Sequence, residues 1–328
     1  MPDPPVLLPA ALNQGWIYRD RIGPSEQGLS ALAFYASRYA HSDPTTWERR
    51  LAAGEVLRSG LPLRADQPLA AGDQLVWHRP PWWEEAVPAP GPALYDDGDL
   101  CVLDKPSGLP VLPAGGWLEH TLLRLMERRH QGEPSGIPRP VHRLGRFTSG
   151  LLLCARKPST RAWLSAALRE STAAGSNAAA RDRSLRKIYR AWLQPGSLPL
   201  TPGESLELRM PIGRRPHPLL GRIWCVARAD DPEALPASSS LTLLQRSPAA
   251  DLVSVAIGSG RPHQIRIHCA AAGAPLLGDP LYRVGGLADP EALPGQGGYR
   301  LQAWRLELQR PEGSWLQLAV PEALELPA

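Results

Sequence analysis

Apolar positions change their spacing along the chain. Over Gly28–Leu57 they recur at helical intervals: Leu29, Leu32, Ala33, Tyr35 and Ala36 mark one face, and Trp47, Leu51 and Ala52 the next. This predicts two short amphipathic helices, the second opened by Asp43-Pro44-Thr45 and closed by Gly54. Residues 1–20 show no comparable period and read as a loose arm. From Glu55 to Trp82 the runs are short and broken at Ser59-Gly60 and Gly72-Asp73, as strands with tight turns would be. A proline-rich stretch over 81–93 then reads as an extended linker. Beyond it, Leu100–Leu103 is strand-like and Gly115–Gln131 carries a helical stripe. The runs SGLLLCARK, KIYRAWLQP and DLVSVAIGS are apolar β segments. Ser171–Ser184 and Asp230–Ser240 have the composition of surface insertions. The pattern implies an α+β protein with a large mixed, mostly antiparallel sheet. It divides as a module over 1–80, the linker, and a main domain over 94–328.

Composition narrows the class. The chain has 328 residues, 43% hydrophobic and 21% charged, enough for two cores and too apolar for disorder. Four cysteines stand singly, which argues against both a disulfide framework and a zinc ribbon. No apolar run reaches about 18 residues and the N-terminus lacks a basic leader, so a soluble, cytoplasmic protein without a membrane partner is expected. Net charge is only +4. Of 36 basic residues just three are lysines, Lys105, Lys157 and Lys187, which suggests positions that need a compact ammonium rather than a guanidinium fork.

Nucleotide-cofactor, P-loop and zinc-hydrolase signatures are all missing, so a nucleotide-cofactor enzyme or a zinc hydrolase is disfavoured. The densest polar segment is Pro140–Gly150, where His142, Arg143, Arg146 and Thr148 precede an apolar strand. A loop anchored on a buried strand can present such groups rigidly to a phosphate or nucleotide. The alternative is a turn whose His and Thr cap local backbone groups. The second segment is Gly258–His268. There Pro262 sits near a helix start, and Arg261 and Arg266 are placed to make an anion site. A solvated basic helix start is the other reading. Lys105 opens a Pro-Ser-Gly turn, and strand alternation would put Lys187 and Tyr189 on one face.

Taken in order, LDKPSGLPV, VHRLGRFTSGLLLCARK, KIYRAW, MPIGRR and SGRPHQIRIHCAAAGAPLLGDPLY resemble the RluA branch of the RNA pseudouridine synthases. The resemblance spans roughly residues 94–310, and the two-helix module ahead of it is similar to an S4-type RNA-binding domain. It implies isomerisation of uridine to pseudouridine in structured RNA, ribosomal or transfer, without cofactor or metal, by a protein that is a monomer by default. It also implies roles for single residues. Arg143 would enter the RNA where the target base is flipped out, Tyr189 would stack on the uracil, and Arg266 would pair with the catalytic carboxylate. His142, Arg146, Thr148, Arg261, Lys105 and Lys187 would contact RNA.

One position departs from that pattern. The family's HRLD aspartate is Gly145 here, and glycine can neither attack ribose nor take a proton. Three explanations follow: a substitute acid (Asp182, Asp104 or Asp279, the last read as a turn residue), a catalytically silent RNA-binding protein, or rearranged chemistry. An acid within hydrogen-bond reach of Arg266 would favour turnover. A Gly145→Asp change would create activity if the other groups are in place.

Overall fold

A computed structural model describes residues 6–39, 42–173, 184–196, 198–321 and 324. Two units result: one holds residues 10–85 with 218–221, the other residues 1–9, 86–217 and 222–328.

The smaller unit is a four-stranded antiparallel sheet in the order Trp16–Arg21, Gln74–Arg79, Val56–Arg58, Leu61–Pro62, with two helices. Helix α1 (Ala31–Arg38) starts where the Ser30 side chain accepts from the Ala33 N–H. Helix α2 (Pro44–Ala52) starts where Asp43 accepts from Thr46, with Pro44 in the first turn. Both helices fall in the expected stretches, but the buried face of α1 is Ala31, Phe34 and Tyr35, while Leu29 and Ala33 are exposed. Their inward rings make the core: Tyr35 stacks on Trp47 at 4.5 Å, and Trp47 meets Trp77 edge-on at 4.6 Å. The strand Trp16–Arg21 falls in the stretch expected to be a loose arm. Its one fully buried side chain is Asp20, held by Arg38 at 2.6 Å and Tyr39 at 2.8 Å, so no apolar alternation announces it.

The larger unit is built on a ten-stranded sheet. Its order is Ser205–Leu208, Ser239–Arg246, Asp251–Ile257, Leu185–Leu193, Leu301–Gln309, Thr148–Ala155, Leu100–Lys105, Ala93–Asp96; Arg139–Pro140 and Trp315–Ala319 add at the sides. Every pairing within it is antiparallel except Thr148–Ala155 with Leu301–Gln309. Both faces are covered. Leu151, Leu153 and Ala155 join a cluster with Leu100 and Val102, whereas Leu152 and Cys154 join another with Cys101 and Leu103. This explains why SGLLLCARK reads as unbroken apolar chain. At the parallel pairing Gly150 faces Ala303 with φ +98°, and a Cβ there would lie 3.0 Å from the Ala303 nitrogen, so only glycine fits.

Three details correct the expectations. The helix expected over Gly115–Gln131 is shorter: α3 runs Leu122–Arg129, because Ala114 and Trp117 pair as a turn and Thr121 caps the start. Within 81–93, Trp83–Glu84 pairs with Ala11–Leu12, and Val87–Pro88 pairs with Leu7–Leu8. The helix after Gly258 begins at Gln264, not Pro262: His263 takes a left-handed φ of +55° as the residue before α5 (Gln264–Ala271). Helix α4 (Pro158–Ala173) carries the chain into the first expected insertion, whose residues 174–183 lie outside the described ones.

Candidate active site

In the larger unit a cavity of about 760 Å³ opens where five parts of the chain meet, one of them α4 with Ser165, Leu168 and Arg169. The loop before Thr148–Ala155 supplies His142, Arg143, Gly145 and Thr148; the Leu185–Leu193 strand supplies Lys187 and Tyr189; the start of α5 supplies Arg261, His263 and Arg266; and the chain entering Leu301–Gln309 supplies Tyr299. Strand alternation does bring Lys187 and Tyr189 to the same cavity. Tyr189 is 9% exposed, and burial pushes its phenol up to about 12. Arg143 is exposed at the wall. Arg261 also lines it, tied by Nε to the Pro236 carbonyl at 3.1 Å.

Arg266 is the most constrained of these groups. Its Nε and Nη2 each donate at 2.7 Å to the Asp279 carboxylate, a bidentate pair with side chains 3% and 0% exposed. Burial opposes the guanidinium charge, but the Asp279 bonds and charge outweigh it and hold the pKa above its usual value. The Cζ also lies 4.2 Å from the Tyr299 ring centroid and 5.0 Å from that of Tyr282. Nη1 alone is buried with no hydrogen-bond partner, a donor left over in a residue that lines the cavity. So Arg266 does have its anionic partner, although position 145 lacks one.

Position 145 is not vacant space. A Cβ on Gly145 would overlap the Tyr299 hydroxyl and come within 3.3 Å of Thr148 Oγ1 and 3.6 Å of Tyr299 Cζ. Thr148 Oγ1 and Tyr299 Oη are themselves 3.3 Å apart. Gly145→Asp by itself therefore requires the Tyr299 hydroxyl to move, the end of a ring packed against Phe147 and Arg266. Of the candidate substitute acids, Asp279 is within hydrogen-bond reach of Arg266, but neither it nor Asp104 lines the cavity. Asp279 is fully buried, with its oxygens taken by Arg266 and by the Leu281 and Tyr282 N–H groups. Asp182 lies outside the described residues. Among the described residues that line the cavity there is no Asp or Glu.

Comparison with known proteins assigns the family. A family model described as RNA pseudouridylate synthase matches residues 99–271. An uncharacterized RNA pseudouridine synthase from Synechocystis is 39% identical over 90% of this chain and 92% of its own length. The chain belongs to the RluA-type RNA pseudouridine synthases. RNA pseudouridine synthase 5 of Arabidopsis thaliana is 37% identical, covering 90% of this chain and 89% of its own. Ribosomal large subunit pseudouridine synthase D of Nitrosomonas europaea is 31% identical over 71% and 62%. The solved structure of human RNA pseudouridylate synthase domain containing 1 shares the fold, with TM-score 0.50 at 20% identity over 71% of this chain and 83% of its own.

Within this synthase, three residues expected to touch RNA have other work. Lys105 is fully buried, and its ammonium donates to the carbonyls of Pro106 (2.8 Å), Leu109 (2.8 Å) and Arg146 (3.0 Å). Burial pushes it down to about 7. Three converging carbonyls need a slim, tetrahedral donor, which is why this position keeps a lysine. Lys105→Met should cost about 2–4 kcal/mol in urea unfolding, because three carbonyls lose their donor; Lys105→Arg should not recover it. Arg146 lies outside the cavity, with Nε donating to Gly108 O at 3.1 Å and its Cζ 4.3 Å from the Trp117 ring. His142 lines the cavity but uses Nε2 to accept from the Leu153 N–H at 3.0 Å. That is the local capping role left open as the alternative.

Tyr299 lies outside every sequence motif, and His263 lies inside the Gly258–His268 segment with no role implied by the resemblance. The Tyr282 hydroxyl donates to Trp224 O at 2.8 Å, so His263 Nδ1–H is the donor in its 2.7 Å bond to Tyr282. His263 Nε2 is thereby left as an acceptor. Among the described residues no cluster of His, Cys, Asp or Glu could hold a metal, and no helix is long and apolar enough to cross a membrane.

Proposed function

We propose that this protein converts uridine to pseudouridine in structured RNA, and that the cavity holds the flipped nucleotide. One observation carries the reading: Tyr189 and Arg266, far apart in sequence, line the same cavity, which has room for a nucleotide. A uridine inside a duplex is out of reach of any side chain, so the base must leave its stack before chemistry begins. The Tyr189 ring offers a face for the extruded uracil. The free Nη1 of Arg266 offers a donor to a carbonyl or phosphate oxygen. Arg143, exposed at the wall, is suited to the gap left in the RNA. The smaller unit, with its two helices and a short sheet, serves as an S4-like RNA contact in this reading. Ribosomal RNA is the favoured substrate class, acted on by a cytoplasmic monomer.

The comparisons give no support to a catalytically silent RNA-binding protein. Total RNA from a strain lacking the gene, incubated with purified protein and mapped for pseudouridine, should gain the modification at defined uridines. RNA affinity should fall steeply with salt, as phosphate contacts release counterions. Salt-sensitive binding with no new pseudouridine at any site would sink the synthase reading.

A further inference from the structure

Position 145 carries no carboxylate, and another side-chain oxygen stands beside it. The Tyr299 hydroxyl fills the point where a Cβ on residue 145 would stand, and both residues line the cavity. No carboxylate joins them among the described lining residues. The geometry points to Tyr299 as the catalytic group that acts on the ribose of the flipped uridine, in place of the missing acid. This rests on the synthase reading of the same cavity.

The surroundings suit that task. Thr148 Oγ1 lies 3.3 Å from Oη and can donate to it, and the Arg266 guanidinium lies 4.2 Å from the ring centroid, where it balances negative charge on the phenolate. Phe147 meets the ring edge-on at 5.8 Å and fixes its plane. Thr148, Ser165 and Tyr189 carry the other hydroxyls at the wall, but an aliphatic alcohol is far less acidic than a phenol, and burial pushes the Tyr189 phenol up to about 12. The steps balance without a co-reactant. The phenolate oxygen bonds to C1′ as the N1–C1′ bond breaks, and uracil leaves with that electron pair. The uracil turns, C5 bonds to C1′, and the Oη–C1′ bond breaks to return the phenolate. The C5 proton then passes to N1, so pseudouridine forms with every atom of uridine retained. Tyrosine serves as a glycosyl nucleophile in some sialidases, so the chemistry has a precedent in kind.

The assignment makes positions 145 and 299 interchangeable. Tyr299→Phe should lose roughly 10³-fold or more in pseudouridine formation, the scale of a removed nucleophile, with RNA affinity unchanged. Gly145→Asp in the Tyr299→Phe background should regain product, because removing the hydroxyl clears the space and leaves a ring carbon at 3.6 Å. Gly145→Asp alone should stay inactive and unfold at lower temperature. A fluorotyrosine introduced at 299, with a more acidic phenol, should move the rising limb of the pH–rate profile to lower pH, which a packing role would not do. Wild-type turnover by Tyr299→Phe, or an unmoved profile, overturns this assignment alone. A wild-type protein that makes no pseudouridine overturns the synthase reading and this one together.

Discussion

Asp279→Asn should be among the most damaging single substitutions in the larger unit. It should lower stability by about 3–5 kcal/mol, because a buried cation is left without its anion. Both partners are out of solvent, at 3% and 0% side-chain exposure, so water cannot replace the lost charge. The isosteric amide keeps one acceptor for Arg266 but turns the other contact into donor against donor. For a unit of this size the loss corresponds to a fall in melting temperature of roughly 10 °C. Asp279 also ties down the Leu281 and Tyr282 N–H groups, so the Gly-Asp-Pro turn loosens with it. The double change Arg266→Met/Asp279→Leu should be markedly less destabilising, since it removes both charges together. If the pair only stabilised the fold, the double variant would keep its activity. Because Arg266 also lines the cavity, the double variant should fold and yet form no product. A double variant as unstable as Asp279→Asn would show that packing, not the orphaned charge, sets the cost.

The same pair shows where sequence reading reaches its limit. Asp279 is legible as a turn residue and Arg266 as a residue one helical turn past Pro262, but nothing in either segment says that they meet. Short-range signals did carry through: Ser30 and Asp43 cap their helices, and Lys187 and Tyr189 share a cavity because strands alternate. Apolar strands covered on both faces are legible as unbroken hydrophobic runs, as in Leu151–Ala155. A strand whose inward residue is Asp20 is not, since its partners come from α1 and the residue that follows it. Lys105 stood out correctly as a position requiring lysine, yet the reason is three carbonyls rather than a phosphate, and only the fold of the 146 loop reveals them. Tyr299 was beyond reach. It follows two glycines in a loop, and its approach to Gly145 depends on the parallel pairing of Thr148–Ala155 with Leu301–Gln309. Local periodicity holds no trace of a contact between residues so far apart in sequence.

Acid should destabilise this protein well above the range where its carboxylates titrate. Burial, with Lys187 nearby, pushes His142 down to about 3, and burial, with Arg266 nearby, does the same to His263. Burial also lowers His268, whose Nε2–H donates to Met210 O while Nδ1 accepts from Ser239. The hydrogen bonds agree, since His142 can accept from Leu153 only as a neutral ring. Unfolded histidines take up protons near pH 6.5, whereas the folded rings stay neutral until about 3. Between those values the unfolded chain binds more protons, so stability is full above about pH 6.5 and falls as pH drops. At pH 5 the loss should reach about 1–2 kcal/mol for each of His142 and His263. Asp96 and Asp99, held below the ordinary carboxylate range, are still ionised there and contribute little to the change. Urea midpoints at pH 7.5 and pH 5 measure the effect directly. His142→Gln keeps an acceptor for the Leu153 N–H, and His263→Asn tolerates the left-handed backbone at φ +55°. Each should remove its own share of the acid sensitivity, and the pair should remove most of it. If the double variant loses as much stability between pH 7.5 and pH 5 as the wild type, the cavity histidines are not the groups that titrate.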